Sequence, residues 1–240
     1  MNKKCDLSLV LACYNEMEIL YKSISEIVET LDNLKLTYEI IMIDDCSKDG
    51  TRKELLKIEK KYPQIKVLIH EKNLGRGGTV AEGIRLSNGK VVGFLDIDLE
   101  TPAWYIAPAY MFIKSGYDVV AAHRIHKLDI RIIIRTILSR GYNLLTRSML
   151  KMPFPDTEAG FKFFNREKIL PVLEQTKDKG WFWDTEIMAR AYYNKLKIKM
   201  IPTLFIRKTY KTSSVKLFND TLDYLKKLVK FRRYINNLKK

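Results

Sequence analysis

Apolar positions recur along this chain with two different periods. LSLVLA (7–12), YEIIMI (38–43), IKVLI (65–69), VVGFL (91–95) and YDVVAAH (117–123) are short, nearly continuous runs of strand length. Such runs suit strands buried on both faces. Between them the spacing turns helical. Ile19, Leu20, Ile24, Ile27, Val28 and Leu31 share one helical face, and Asn15 is placed to cap that helix. A charged helix is expected from Gly50 to Tyr62, stopped by Pro63. The glycine-rich turn NLGRGG opens a helix over 79–88, and Pro102 suits the first turn of the next helix. Strand–helix alternation of this kind predicts an α/β domain with a Rossmann-like, mainly parallel sheet flanked by helices. Ligands in such sheets bind at the carboxyl ends of the strands. Tyr14 to Glu16, Asp44 and Asp45, Asn73 to Gly78, and Asp96 to Glu100 all fall at those ends.

The fourth run poses a question of charge. VVGFL runs directly into Asp96, Asp98 and Glu100. If the extended geometry persists, the three carboxylates point to one side. Crowded anions need positive charge between them, either a divalent cation or a cluster of Arg and Lys. Other arrangements remain open for the remaining loops. Asp44-Asp45-Cys46-Ser47 is also turn chemistry, and the glycines of NLGRGG permit a tight turn without any ligand.

Composition narrows the classes. The 240 residues are 46% hydrophobic, enough for a substantial core. No run of about 18 apolar residues is present to span a membrane, and MNKKCDLSLVLACYNE has no stretch suited to a signal peptide. Cys5, Cys13 and Cys46 are odd in number, lack metal-ligand spacing and suit a reducing compartment. His70, His123 and His126 lack the company of a zinc or serine hydrolase motif. The net charge of +15 is concentrated in two places. Residues 123–152 carry seven Lys or Arg against Asp129, and residues 205–240 carry eleven against Asp220 and Asp223. The rest of the chain is balanced. In the tail, Phe218, Leu222, Leu225 and Val229 form a helical stripe flanked by Lys226, Lys227, Lys230 and Arg233. A basic amphipathic helix of this kind suits an anionic membrane interface. The expected division is a catalytic domain over 1–215 and the amphipathic helix 216–240, which either belongs to that domain or serves as a membrane-surface element.

Several motifs in order carry a more specific likeness. LACYNE, IDDCSKDGT, NLGRGGTVAEGI and FLDIDLETP resemble the inverting, family 2 nucleotide-sugar glycosyltransferases of the GT-A fold. DTEAGFKFF (156–164) and WFWDTEIMARA (181–191) are similar to the polyprenyl-phosphate branch, which includes dolichyl-phosphate mannose and glucose synthases. The likeness covers almost the whole chain. It departs at Ala12, where the family commonly has proline, at Cys46 for glycine, at Glu100 for glutamine, and in EAGFK for QCGFK.

The resemblance implies roles. Asp96, Asp98 and Glu100 would hold Mg²⁺ or Mn²⁺, whose preference is for hard oxygen ligands. Ala12, Tyr14, Glu16, Asp45, Arg76 and Asp96 would line the site for a GDP-mannose or UDP-hexose donor. Arg124, Arg135 and Ser139, with Lys162 and Ser214 as weaker members, would bind the phosphate of a dolichyl or undecaprenyl acceptor. Arg135 and Ser139 have the i, i+4 spacing of one helical face. Asp98, Arg124 and Arg135 would carry the catalytic step, and Trp181 to Trp183 would either line the acceptor cleft or fill the core. The expected location is the cytoplasmic face of a membrane, held peripherally.

The chemistry suits a site rich in Asp and Arg and poor in His. A phosphate monoester, with its second pKa of about 6, is mostly dianionic at neutral pH and attacks without a general base. A saccharide or protein hydroxyl would need one, for which Asp156, Glu158 and Asp184 are candidates. A basic nucleic-acid-binding module explains the pI of about 9.6 but leaves the acidic strand ends unaccounted for, so no nucleic-acid partner is expected. Asp98→Asn removes one charge from the expected cation site. Sugar transfer should fall by about two orders of magnitude, or ~3 kcal/mol in the barrier. Glu100→Gln should be much milder, and parallel kinetics of the two variants check both statements.

Overall fold

The computed structural model describes residues 4–126, 133–207 and 217–238, and for 126, 133–140, 217–220 and 238 the backbone alone. Seven strands form one sheet: β1 (Leu7–Cys13), β2 (Tyr38–Asp44), β3 (Ile65–Ile69), β4 (Val91–Leu95), β5 (Val119–His126), β6 (Phe161–Asn165) and β7 (Ile198–Phe205). Their spatial order is β3-β2-β1-β4-β6-β5-β7. All neighbours pair in parallel except β6, which runs antiparallel between β4 and β5. The chain moves outward from β1 through β2 to β3, then returns to place β4 on the other side of β1. That reversal opens a crevice at the carboxyl ends of β1 and β4.

Among the described residues, eight α-helices cover the two faces: α1 (Leu20–Asn33), α2 (Thr51–Lys61), α3 (Arg76–Leu86), α4 (Ile106–Lys114), α5 (Ile133–Leu150), α6 (Arg166–Gln175), α7 (Trp183–Tyr193) and α8 (Leu217–Leu238). Strand residues alternate between two cores. Leu7, Leu9, Leu11 and Cys13 pack with α1, α2 and α4, whereas Val10, Val92 and Phe94 pack with α3, α6, α7 and α8. Gly93 has no room for a side chain, since a Cβ there would lie 2.4 Å from the Phe163 ring. Backbone approach of this kind is what glycine permits in a strand interior.

The five expected strands form, with ends shifted at β5. The helix ends differ more. Asn15 does not cap α1, which begins at Leu20 with Ile19 at the cap position. Asn15 instead takes a left-handed φ of 55° and accepts a hydrogen bond from Lys48 N at 2.8 Å, tying the loop after β1 to the loop after β2. α3 begins at Arg76, earlier than expected, because Gly75 turns the chain at φ 82°. Pro102 precedes a 3-10 turn over Ala103–Tyr105 that leads into α4. β6 and β7 lie outside the predicted set.

The C-terminal helix is packed on the face next to the expected stripe. Tyr224, Leu228, Phe231 and Ile235 are buried in the second core, while Leu222 and Val229 face outward and Leu225 is half-buried. The Phe218 side chain lies outside the described residues. The aromatic partners explain the choice: Phe182 meets both Tyr224 and Phe231 edge to face, and Tyr142 of α5 meets Tyr224 the same way. Leu228→Ala should therefore cost about 2–5 kcal/mol of stability, and Val229→Ala less than about 0.5 kcal/mol. Urea unfolding of both variants tests whether α8 belongs to the domain core.

Candidate active site

The crevice is built by three loops that brace one another. Asn15 N donates to Ser47 Oγ at 3.0 Å and Glu16 N to Thr51 Oγ1 at 2.8 Å, so the ends of β1 and β2 share one support. Ala12 and Glu16 are half-buried there, and Tyr14 is exposed. Asp45 is buried and fully engaged by its own chain. Its Oδ1 accepts from Leu74 N at 2.7 Å and its Oδ2 from Gly75 N at 3.0 Å, while His70 Nδ1 lies 2.9 Å away. The opposite ring nitrogen of His70 lies 3.0 Å from Glu82 Oε2. Asp45 thus shapes the NLG turn and presents it to the crevice. His70 is part of that support, and its one signal in the sequence is a polar ring just after β3, matching the acid just after β2.

Beyond β4 the hydrogen-bonded strand stops at Leu95, but the alternation of burial continues. Ile97 and Leu99 enter the first core, and Asp96, Asp98 and Glu100 stay half-exposed. The three carboxylates do not form one cluster, however. Leu99 adopts φ 52°, and Asp98 Oδ1 accepts from Glu100 N at 3.2 Å, so the chain curls where the extended geometry was expected. Among the described residues no group of three or more His, Cys, Asp or Glu converges as a metal cage. Asp96 and Asp98 remain as neighbouring oxygen donors. That set fits Mg²⁺ or Mn²⁺ held by one or two carboxylates together with substrate phosphates.

Asp96 is already paired. Arg76 Nε donates to its Oδ1 at 2.8 Å, and Nη1 donates to the buried Asp184. Asp184 Oδ1 also accepts from Lys162 Nζ at 2.5 Å, and that ammonium donates to Ala159 O at 2.6 Å. Lys162 is fully buried, so it props Asp184 and has no surface to offer an acceptor. Burial pulls its pKa down even with Asp184 beside it. Loss of water in the cleft, with Asp98 and Asp184 nearby, holds the Asp96 carboxyl above its usual range despite Arg76. Arg76 Nη2 is buried and ion-paired with Asp96 Oδ1 at 2.7 Å, without an aligned hydrogen-bond acceptor. A donor in that state beside a helix N-terminus fits an anionic ligand. Gly160 closes the floor: its carbonyl accepts from Asp96 N at 2.9 Å, and a Cβ on it would fall 1.8 Å from Asp96 Oδ2.

On the far side of β6, Arg124 extends from β5. Nε and Nη2 donate to Asp156 at 2.7 and 2.9 Å, Nη2 is 3.8 Å from Glu158, and the guanidinium stacks over Phe205. Glu158 keeps about a quarter of its side chain exposed. Against the desolvation that would raise it, the adjacent Arg124 guanidinium holds the Asp156 carboxyl below its usual range. Arg135 and Ser139 fall within α5, but their side chains lie outside the described residues, as does Ser214 altogether. Trp183 is buried in the second core against Phe94, and Trp181 is exposed with the Arg76 guanidinium over its ring.

Residues 8–170 match the family described as Glycosyl transferase family 2. The chain belongs to that family. A dolichyl-phosphate beta-glucosyltransferase of Dictyostelium discoideum is 28% identical over 95% of this transferase and 75% of its own length. The Saccharomyces cerevisiae protein of the same name is 29% identical over 82% of this chain and 65% of its own. Glycosyltransferase AglD of Haloferax volcanii is 28% identical, and the match spans 32% of that longer protein. Among solved structures, glucosyl-3-phosphoglycerate synthase from Mycobacterium tuberculosis with UDP superposes at a TM-score of 0.70 with 15% identity, covering 95% of this chain and 80% of that one. A Pyrobaculum calidifontis mannosyltransferase with GDP-Man and Mn²⁺ gives 0.61 and 16%, over 87% and 59%. These likenesses establish the mixed α/β fold of the transferase.

The Arg124–Asp156 pair makes the site sensitive to acid. A carboxyl whose folded pKa is depressed stabilises the fold above its unfolded pKa and loses that contribution as pH falls through the folded value. The transferase should therefore lose stability progressively below about pH 4. Asp156→Asn leaves Arg124 without its buried counter-ion, at a cost of about 3–5 kcal/mol at neutral pH, and should flatten the acid dependence. Thermal melts from pH 3 to 7 measure both effects.

Proposed function

We propose that this transferase moves a hexose from a nucleotide-sugar, UDP- or GDP-linked, to a polyprenyl phosphate with inversion at the anomeric carbon. The observation that carries the reading is the division of charge across β6. Asp96 and Asp98 with Arg76 lie on one side, Arg124 lies on the other, and no nucleophile–base pair stands between them among the described residues. The dolichyl-phosphate beta-glucosyltransferase relatives, one matched over nearly the whole chain, support it.

Asp96 and Asp98 would hold Mg²⁺ or Mn²⁺, which when bound supplies Lewis-acid stabilisation to the departing diphosphate. Arg76, ion-paired with Asp96 at the first residue of α3, binds the same diphosphate from the α3 end. Arg124 receives the acceptor phosphate and holds it against the repulsion of the donor, the role that the resemblance also assigns to Arg135 and Ser139. A dianionic phosphate supplies its own nucleophile, so the reaction proceeds in one displacement. The hydroxyl-acceptor reading is weaker because Asp156 and Asp184, two of its three candidate bases, are committed to Arg124 and to Arg76 with Lys162.

The acceptor arrives from a membrane. α5 and α8 lie together, with Tyr142 Oη donating to Thr221 O at 3.0 Å. Their outer sides expose Leu144, Leu145, Leu222 and Val229 among Arg147, Lys226, Lys230 and Arg233. No helix among the described residues is long and apolar enough to cross a bilayer. The basic, apolar face therefore suits peripheral attachment to an anionic, cytoplasmic leaflet.

One assay tests the reading as a whole. Anionic vesicles carrying polyprenyl phosphate, Mg²⁺ or Mn²⁺, and a panel of UDP- and GDP-hexoses should yield a lipid-linked sugar with one donor. High salt should release the protein and lower transfer through screening. Transfer only to a soluble hydroxyl acceptor would refute it.

A further inference from the structure

We infer that Glu158 decides which acceptors the site admits: with its proton in place the carboxyl hydrogen-bonds an acceptor phosphate beside Arg124, and without it the carboxylate excludes that phosphate. The inference rests on the phosphate-acceptor reading above and adds a specificity-determining residue to it.

The argument begins with the charge on Arg124. Asp156 occupies Nε and Nη2 in a two-point contact and already balances the guanidinium. Glu158 is held on the same loop, its backbone N donating to Asp156 Oδ1 at 3.1 Å, and its side chain stands 3.8 Å from Nη2. An ionised Glu158 makes this corner net negative, and an incoming phosphate dianion would meet a second carboxylate where it needs a cation. A protonated Glu158 leaves the corner neutral and adds a donor.

The surroundings favour the protonated form. Asp156 of the same loop and Asp184 of α7 face it as anions, Tyr142 of α5 and Tyr224 of α8 as phenols, and Arg124 of β5 as the cation. Loss of water, then Asp156 and Asp184, push its carboxyl above the ordinary range, against Arg124 and the Tyr224 hydroxyl. That hydroxyl is fixed in turn by Thr185 at 2.6 Å and Thr146 at 3.4 Å, so the carboxyl is held in position while part of it stays accessible.

The test compares the full-length wild type with Glu158→Gln, with UDP and Mg²⁺ present, by calorimetry with a short-chain prenyl phosphate from pH 5.5 to 8.5. The ratio of the two dissociation constants cancels the titration of the phosphate itself. It should rise from the acid to the alkaline end, by about tenfold in favour of the variant, the scale of one pKa unit. A ratio that does not change with pH, or a variant that binds no better than wild type at pH 8.5, overturns the inference. Inorganic phosphate run in parallel should follow the same ratio; a flat response there means that Glu158 senses the prenyl chain, which also overturns it. Sugar transfer is a separate arm. The expected binding ratio without transfer to polyprenyl phosphate keeps the Glu158 assignment and refutes the reaction.

Discussion

The active site depends on one chain of charge, Asp96–Arg76–Asp184–Lys162, which runs from the half-exposed Asp96 to the fully buried Lys162. It joins the end of β4, the first residue of α3, the first turn of α7 and the interior of β6. Buried ions are costly unless each has its counter-charge, and removing one partner strands the next. Arg76 and Lys162 both lean on Asp184, and Lys162 also needs the Ala159 carbonyl. The chain therefore constrains how α3, α7 and β6 sit relative to one another. It also sets the Arg76 guanidinium against Asp96. Arg76 thus supplies part of the positive charge that the acids after β4 require, and a bound cation would supply the remainder.

The same constraint extends to the C-terminal helix. Lys227 of α8 bridges Asp178 and Asp223, both at 2.8 Å. The loop holding Asp178 reaches α3, where Lys179 O accepts from Gly78 N at 2.9 Å. Glu186 fixes that loop from α7 through the backbone N–H groups of Lys177 and Asp178, and binds Arg190, which lies over Phe231 and Tyr234 of α8. A helix whose outer face is basic and apolar is thus packed, by its inner face, against the elements that position Arg76. Tyr224 repeats the pattern at the Glu158 loop, where it touches Glu158, Thr185 and Thr146.

Much of this was legible in the chain. Continuous apolar runs marked five strands, and helical spacing marked the helices between them, because burial on two faces and burial on one stripe leave different periods. The strand-end loops were legible for the same reason: polar residues that interrupt such runs have to lie at the edge of the sheet. β6 was harder to see. FKFFN is five residues long and sits between a loop and a helix start, and its antiparallel direction is a property of its neighbours.

The sequence by itself determined the alternating fold, the position of the acids at strand ends and the separation of charge into two basic segments, since each depends on residues close together in the chain. Only the tertiary structure decided the pairings. Asp45 turned inward to hold Leu74 and Gly75, Asp184 met Arg76 across 108 positions, and Lys162 was sealed inside β6. The outer or inner choice for each face of α8 likewise waited on Phe182 and Tyr142. Long-range ion pairs and aromatic contacts leave no local period, because what selects the partner is the space left when distant segments pack.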